Sequence, residues 1–527
     1  MTVAHRHLLL ALTWLVAGAA PGLVMAAAPS VAPTAPQVAS VWDKYKRIRQ
    51  GESSVDAQEE EEPPAPAATP APPPAPPPAP AAPAPRPAPA TPAAGQPPVA
   101  AAREPATKRQ GRVSARPVSA PAQPVAAGSW WAFYAGTLDI DARPFYGPYG
   151  VDFQWAYARS EPLPPDPRIV VSLHDAGDGE MGVFAPDAAG DIELRTQDAG
   201  VYRQDWREGW SLGADGQPYP GRRIAATLQF LAQRYALEPG GRGIVVQGAG
   251  MGGSGALLQT LLLPQPWRAR IAYVSAQAGG ALPRQVARKQ PQQFANLPPD
   301  SGAGRQVWDR LDFQQQAPVD PVLRGMHYRQ VFSSDDPSAE GPRGNTQLAF
   351  VNLLETQRIG AAFAWVKAGR GTYERGVRMP DLSRFEVPEQ DVTLDRAHPA
   401  ITRSTGNYPP SARQRVDGRA FPRGHYNLGI TWDHAGIVDR PGEIVFPLRY
   451  TARRNLGQGL PDQPRHITVS VTPRRPRHFE LRDGETLNWS WDGGALTGSA
   501  TVRGDSVTID GIPLESGQPY RRLRIYR

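Results

Sequence analysis

One stretch restricts the fold more than any other: Ile244-Val245-Val246-Gln247-Gly248-Ala249-Gly250-Met251-Gly252-Gly253-Ser254-Gly255-Ala256. The β-branched run at its start reads as a buried strand, and Gly253 to Leu263 reads as a helix. Gly248, Gly250, Gly252 and Gly253 lie between the two, so the turn is short and leaves no room for side chains. A strand that enters a helix through such a turn belongs to a parallel sheet with helices packed on it. The neighbouring sequence repeats the alternation. Arg168 to Leu173, Ile271 to Ser275, Tyr328 to Phe332 and Ala361 to Val366 read as strands. Arg222 to Leu237, with Ile224, Leu228, Leu231 and Tyr235 on one face, and Asn345 to Gln357 read as helices.

The expected fold class over residues 129–394 is therefore α/β, a mostly parallel sheet with helices on both faces. After Asp395 the texture changes. Tyr426 to Trp432, Ile444 to Tyr450, Ile467 to Val471, Leu487 to Trp491 and Ser506 to Ile509 alternate or carry β-branched and aromatic residues, with Gly, Asp and Pro between them. They predict a small all-β, sandwich-like domain over 395–527.

The first 128 residues have a different character. His5-Arg6-His7, the apolar run from Leu8 to Ala17, the break at Pro21-Gly22 and the small residues Ala26-Ala27-Ala28 have the order of a signal peptide over 1–28. An exported protein, periplasmic or secreted, is expected, with the mature chain starting between Ala27 and Pro29. No later segment is apolar enough to predict a membrane span. Residues 29–62 read as a tail in which Val38, Val41, Tyr45 and Ile48 fall at helical spacing, a short docking helix or simply a few apolar residues. Residues 63–128 are dominated by Ala and Pro and predict a disordered, extended linker. The chain has no cysteine, which excludes disulfides and thiolate metal sites. Its net charge of +7 suits either an arginine-rich solvated surface or anionic envelope polymers. No basic stretch has the pattern of a nucleic-acid reader, so the expected partner is an envelope protein or polysaccharide.

The glycine-rich stretch resembles the nucleophile elbow of esterases in the α/β-hydrolase superfamily, G-x-S-M-G-G-x-G-A, with glycine at Gly250 where the serine stands. The resemblance covers roughly half of the chain. It implies an acid after a later strand, for which Asp335 and Asp336 are the candidates, and a histidine after the last strand. The matching stretch, Val366 to Tyr373, contains no histidine. It further implies an oxyanion loop, matched in part by His174-Asp175-Ala176-Gly177, completed by the backbone N–H of Met251. With two of three catalytic roles vacant, an α/β-hydrolase-like protein released from catalysis is expected, acting by binding or scaffolding.

Rival readings use the same residues. An active serine esterase or peptidase could use Ser254 as a displaced nucleophile, or residues that no motif assigns. Gly248 to Gly253 also satisfies G-x-G-x-x-G, a dinucleotide fingerprint, but no acidic residue follows the strand Ile271 to Ser275. Asp175, Asp178, Asp205 and Glu208 lack metal-site spacing, and neither metal nor cofactor is expected. Trp130 to Tyr134, Trp206 and Trp210 read as ligand platforms or as core.

Overall fold

The computed structural model of the chain describes residues 116–118, 126–127, 131–139, 153–174, 185–186, 188, 190–196, 210, 212, 216–237, 241–277, 279–280, 282, 284, 297, 300–333, 346–366, 387, 391–409, 415–416, 419–420, 424–452 and 462–527. The chain divides into two units, 1–102 and 103–527, and all described residues belong to the second. The signal segment, the tail and most of the linker stretch lie outside the described residues.

In chain order the strands of the first part are β1 (Arg116–Val118), β2 (Ala126–Ala127), β3 (Trp131–Asp139), β4 (Phe153–Ser160), β5 (Arg168–Leu173), β6 (Asp191–Thr196), β7 (Ile244–Ala249), β8 (Ile271–Gln277), β9 (His327–Ser333) and β10 (Gly360–Val366). The helices are α1 (Tyr219–Tyr235), α2 (Met251–Leu262), the short α3 (Arg305–Arg310), α4 (Phe313–Gln316) and α5 (Pro321–Arg324), and α6 (Thr346–Thr356). Then follow β11 (His398–Thr402), β12 (Arg415–Val416), β13 (Arg419–Ala420), β14 (Gly424–Tyr426), β15 (Ile430–Trp432), β16 (Val438–Arg440), β17 (Glu443–Tyr450), β18 (His466–Arg474), β19 (Thr486–Trp491), β20 (Leu496–Thr501), β21 (Ile509–Glu515) and β22 (Arg521–Tyr526).

The central sheet has the order β1-β3-β4-β6-β5-β7-β8-β9-β10-β14, with β2 also on β3. Its middle, β6 to β10, is parallel, and antiparallel strands flank it. The two-residue period of the strands sorts side chains between two cores. On one face Ile169, Val171, Ile244 and Val246 join Ile224 and Leu228 of α1, Leu257 of α2 and Leu354 of α6. On the other, Val170, Val245 and Tyr273 join a second core with Ile401, Trp432, Phe446, Val469 and Leu523. The C-terminal region therefore packs directly on the sheet. It contains a three-stranded sheet, β11-β18-β21, and a six-stranded one, β15-β17-β22-β19-β20 with β16 on β17. Both contribute to that second core, the arrangement of a β-sandwich.

Several elements differ from the sequence expectation. The sheet starts inside the stretch read as linker, where β1 and β2 pair with β3. Tyr426 to Trp432 is not one strand, because Asn427 (φ 54°) and Gly429 (φ 84°) turn the chain between β14, on the central sheet, and β15, in the sandwich. The strand expected at Ser506 begins only at Ile509. Among the described residues no helix is long and apolar enough to cross a membrane.

Candidate functional site

Strand β5 leads to β6 on one side of it, and β7 leads to β8 on the other, so the direction of winding reverses between β5 and β7. Open α/β sheets form a crevice at such a reversal, outside the C-terminal strand ends, and side chains there face a ligand. His174 follows β5 and Gly250 follows β7, and the two strands are in register at Leu173 and Gly248. The glycine-rich turn thus stands where the topology places a site.

Gly250 has φ 54° and ψ −117°, a conformation that residues with a Cβ rarely adopt. Its N–H donates to the Gln277 carbonyl at 2.8 Å, so the turn is tied to the end of β8. On its other side the turn presses against β5: a Cβ on Gly248 would overlap backbone atoms of Gly252, and one on Gly252 would overlap the Leu173 carbonyl. No side chain caps α2, so its partial positive end faces the crevice.

Ser254, on the first turn of α2, is held within this framework. Its Oγ accepts the N–H of Gly280 at 2.8 Å and donates to the Gly250 carbonyl at 3.4 Å. The hydroxyl thereby links the segment after β8 to the turn. Trp210, a candidate ligand platform from the sequence, is a core residue instead, 1% exposed. Its Nε1 donates to the His174 carbonyl at 3.2 Å, its own carbonyl accepts from Gln259 Nε2 at 2.7 Å, and the His174 ring meets it edge-on. Trp210 thereby ties the end of β5 to α2, a role invisible in sequence because its partners lie 36 and 49 residues away.

A polar row on the opposite face of the sheet also escaped sequence reasoning. Gln247 Nε2 donates to Ser172 Oγ at 2.9 Å, which donates to buried Glu193 at 3.0 Å, and Arg195 Nε donates to the same carboxylate at 2.9 Å. Further along, Arg329 donates to Ser275 Oγ at 3.1 Å. Only the strand register brings these residues together. Of the remaining candidates, Met251 opens α2 and is half-buried. Asp175, Ala176, Gly177, Asp178, Asp205, Trp206, Glu208, Asp335, Asp336 and the stretch 367–373 lie outside the described residues. Among the described residues no group of His, Asp and Glu is placed to hold a metal ion.

No family model and no curated protein matches the chain. Among solved structures it is similar to an S-formylglutathione hydrolase from Agrobacterium tumefaciens, at 17% identity over 47% of this chain and 90% of that one, TM-score 0.34. It is also similar to Porphyromonas gingivalis dipeptidyl peptidase 4 (14%, 47% and 35%, TM-score 0.32) and to a Pyrococcus horikoshii acylaminoacyl peptidase (15%, 43% and 37%, TM-score 0.32). The chain spans about a third of the length of the peptidases it matches. These likenesses are distant: identities are 17% or lower and TM-scores 0.34 or lower.

Proposed function

We propose that this chain is an exported protein with an α/β-hydrolase-like fold that has given up catalysis and works by binding or scaffolding in the cell envelope or outside the cell. The observation that carries the reading is Gly250: a strand-to-helix turn at the winding reversal, with an elbow-like backbone, bears no side chain at its apex. A nucleophile needs both a hydroxyl at that point and a base to take its proton. The stretch after β10 supplies no histidine in sequence, and the nearby hydroxyl of Ser254 is engaged with Gly280 and Gly250. The crevice itself does not depend on the lost groups, so it keeps a concave surface for a ligand.

The test is chemical. Purified protein should neither hydrolyse activated esters nor react with a fluorophosphonate probe. Gly250→Ser alone should restore little, because general-base assistance typically contributes ~10²–10⁴-fold and no base is provided. Labelling of the wild-type protein at Ser254, abolished by Ser254→Ala, would overturn the reading in favour of an active serine hydrolase. Export is tested separately: the N-terminus of protein recovered from envelope and medium should lie between Ala27 and Pro29.

A further inference from the structure

Charge is distributed unevenly along this chain. Residues 395–527 contain 20 arginines, no lysine and 13 acidic residues, whereas residues 1–394 contain 37 of each sign. The entire formal excess of +7 therefore belongs to the C-terminal β-region.

The strand registers show where part of it is displayed. In the six-stranded sheet Ile444, Phe446 and Leu448 of β17 and Leu523 and Ile525 of β22 point into the core. Alternation turns the intervening residues outward. Arg449 on β17, Arg522 and Arg524 on β22 and Arg440 on β16 thus share the outer face, with Glu443 as the acidic residue between Arg440 and Arg524. Arg449 and Arg522 are exposed and make no ion pair among the described residues. Two guanidinium groups are held in place by aromatic rings, Arg449 at 4.6 Å over Tyr520 and Arg524 at 4.7 Å over Tyr526. Beside them β19 and β20 carry uncharged hydrogen-bonding groups on the same side, where Asn488 is paired with Ser499 and Ser490 with Thr497. Successive outward residues are about 6.8 Å apart along a strand, so the arginine–tyrosine band extends over roughly 20 Å.

We infer that this face binds an acidic polysaccharide, a chain of sugars bearing carboxylates. Arginines held by stacking meet carboxylates with little ordering cost and in bidentate geometry. The adjoining amide and hydroxyl groups match sugar hydroxyls. Nucleic acid fits less well, because a guanidinium group occupies one face of each tyrosine and leaves fewer stacking platforms. A membrane surface also fits less well: of the four large hydrophobic residues exposed among the described ones, only Tyr520 is in this band. The inference does not depend on the chemistry at Gly250.

The experiment titrates the full-length protein with polyuronate, neutral dextran, single-stranded DNA and phosphatidylglycerol vesicles at low salt. Polyuronate should bind best, weaken as salt is raised, and lose about tenfold in affinity in the Arg449→Gln/Arg522→Gln/Arg524→Gln variant. Arg522→Gln alone, which removes no described bond, should cost a measurable fraction of that loss with the melting curve unchanged. Asn488→Ala/Ser499→Ala, with the charge intact, should weaken binding further than it weakens the response to salt. Equal binding of dextran and polyuronate, unchanged affinity in both arginine variants, or tighter binding of DNA or vesicles would each overturn the inference.

Discussion

At Gly250 a φ of 54° can be met by glycine at no steric cost, whereas a side chain there is strained. Gly250→Ser and Gly250→Ala should each destabilise the fold by about 1–3 kcal/mol, since the penalty belongs to the backbone and not to the hydroxyl. Urea midpoints would show it, and a serine variant as stable as wild type would mean that the turn relaxes. Gly252→Ala should be harsher. Its Cβ would meet the Leu173 and His174 carbonyls, which cannot withdraw without moving β5. The glycines were legible in the sequence because a cramped turn dictates composition at fixed offsets. The parts that fix the turn in place were not legible. Gln277, Gly280 and Trp210 act through a carbonyl, an N–H and an indole, and nothing in their residue types announces those partners.

The same contrast holds for whole elements. The sequence reading places strands β5, β7, β8, β9 and β10 to within about two residues, because runs buried on both faces are rich in apolar residues even where Ser172, Gln247, Ser275 and Arg329 intervene. Strand β6 was missed: Asp191, Glu193 and Arg195 interrupt its apolar pattern, yet Arg168 pairs with Asp191 and Ser172 with Glu193 across the register. Tyr426 to Trp432 looked continuous because its apolar and aromatic residues outweighed the turn at Asn427 and Gly429. Asn427 is more than a bend. Its Nδ2 donates to the Ala361 carbonyl of β10 and the Ile401 carbonyl of β11, each at 2.9 Å, joining the central sheet to the sandwich. Asn427→Ala would leave two buried carbonyls without this partner and put alanine at a positive φ. A loss of about 2–4 kcal/mol is expected, read as a lower urea midpoint at unchanged slope.

On the scale of the molecule, the C-terminal sandwich covers one face of the central sheet, so the two parts should not fold separately. A chain ending before Asp395 would uncover Val170, Val245 and Tyr273 and should be insoluble, whereas cleavage that removes the residues before Arg116 should leave a folded body. The seam between the parts also contains a titratable pair. His327 of β9 stacks on Tyr273 and meets Trp432 edge-on, and His398 of β11 stacks on Trp432. Neither imidazole has a hydrogen-bond partner among the described residues. Burial pushes His327 down to about 3. Burial also pushes His398 well below its usual value, and Arg475, His327 and Arg474 add to the effect. A histidine depressed on folding takes up protons more readily unfolded, so its contribution is complete above about pH 6.5 and is lost as pH falls toward the folded value. The slope is up to about 1.4 kcal/mol per pH unit for His327, so roughly 2 kcal/mol from it should be gone at pH 5, and His398 acts in the same direction. Glu355 and Asp391, raised by burial, act in the opposite sense, gaining stability as pH falls through their folded values. The histidine contribution is therefore isolated by variants. Urea midpoints between pH 7 and 5 should fall steeply for wild type and far less for His327→Phe/His398→Phe, which keeps the aromatic packing and removes the titration. Parallel slopes in the two proteins would show that the seam takes no part in acid lability.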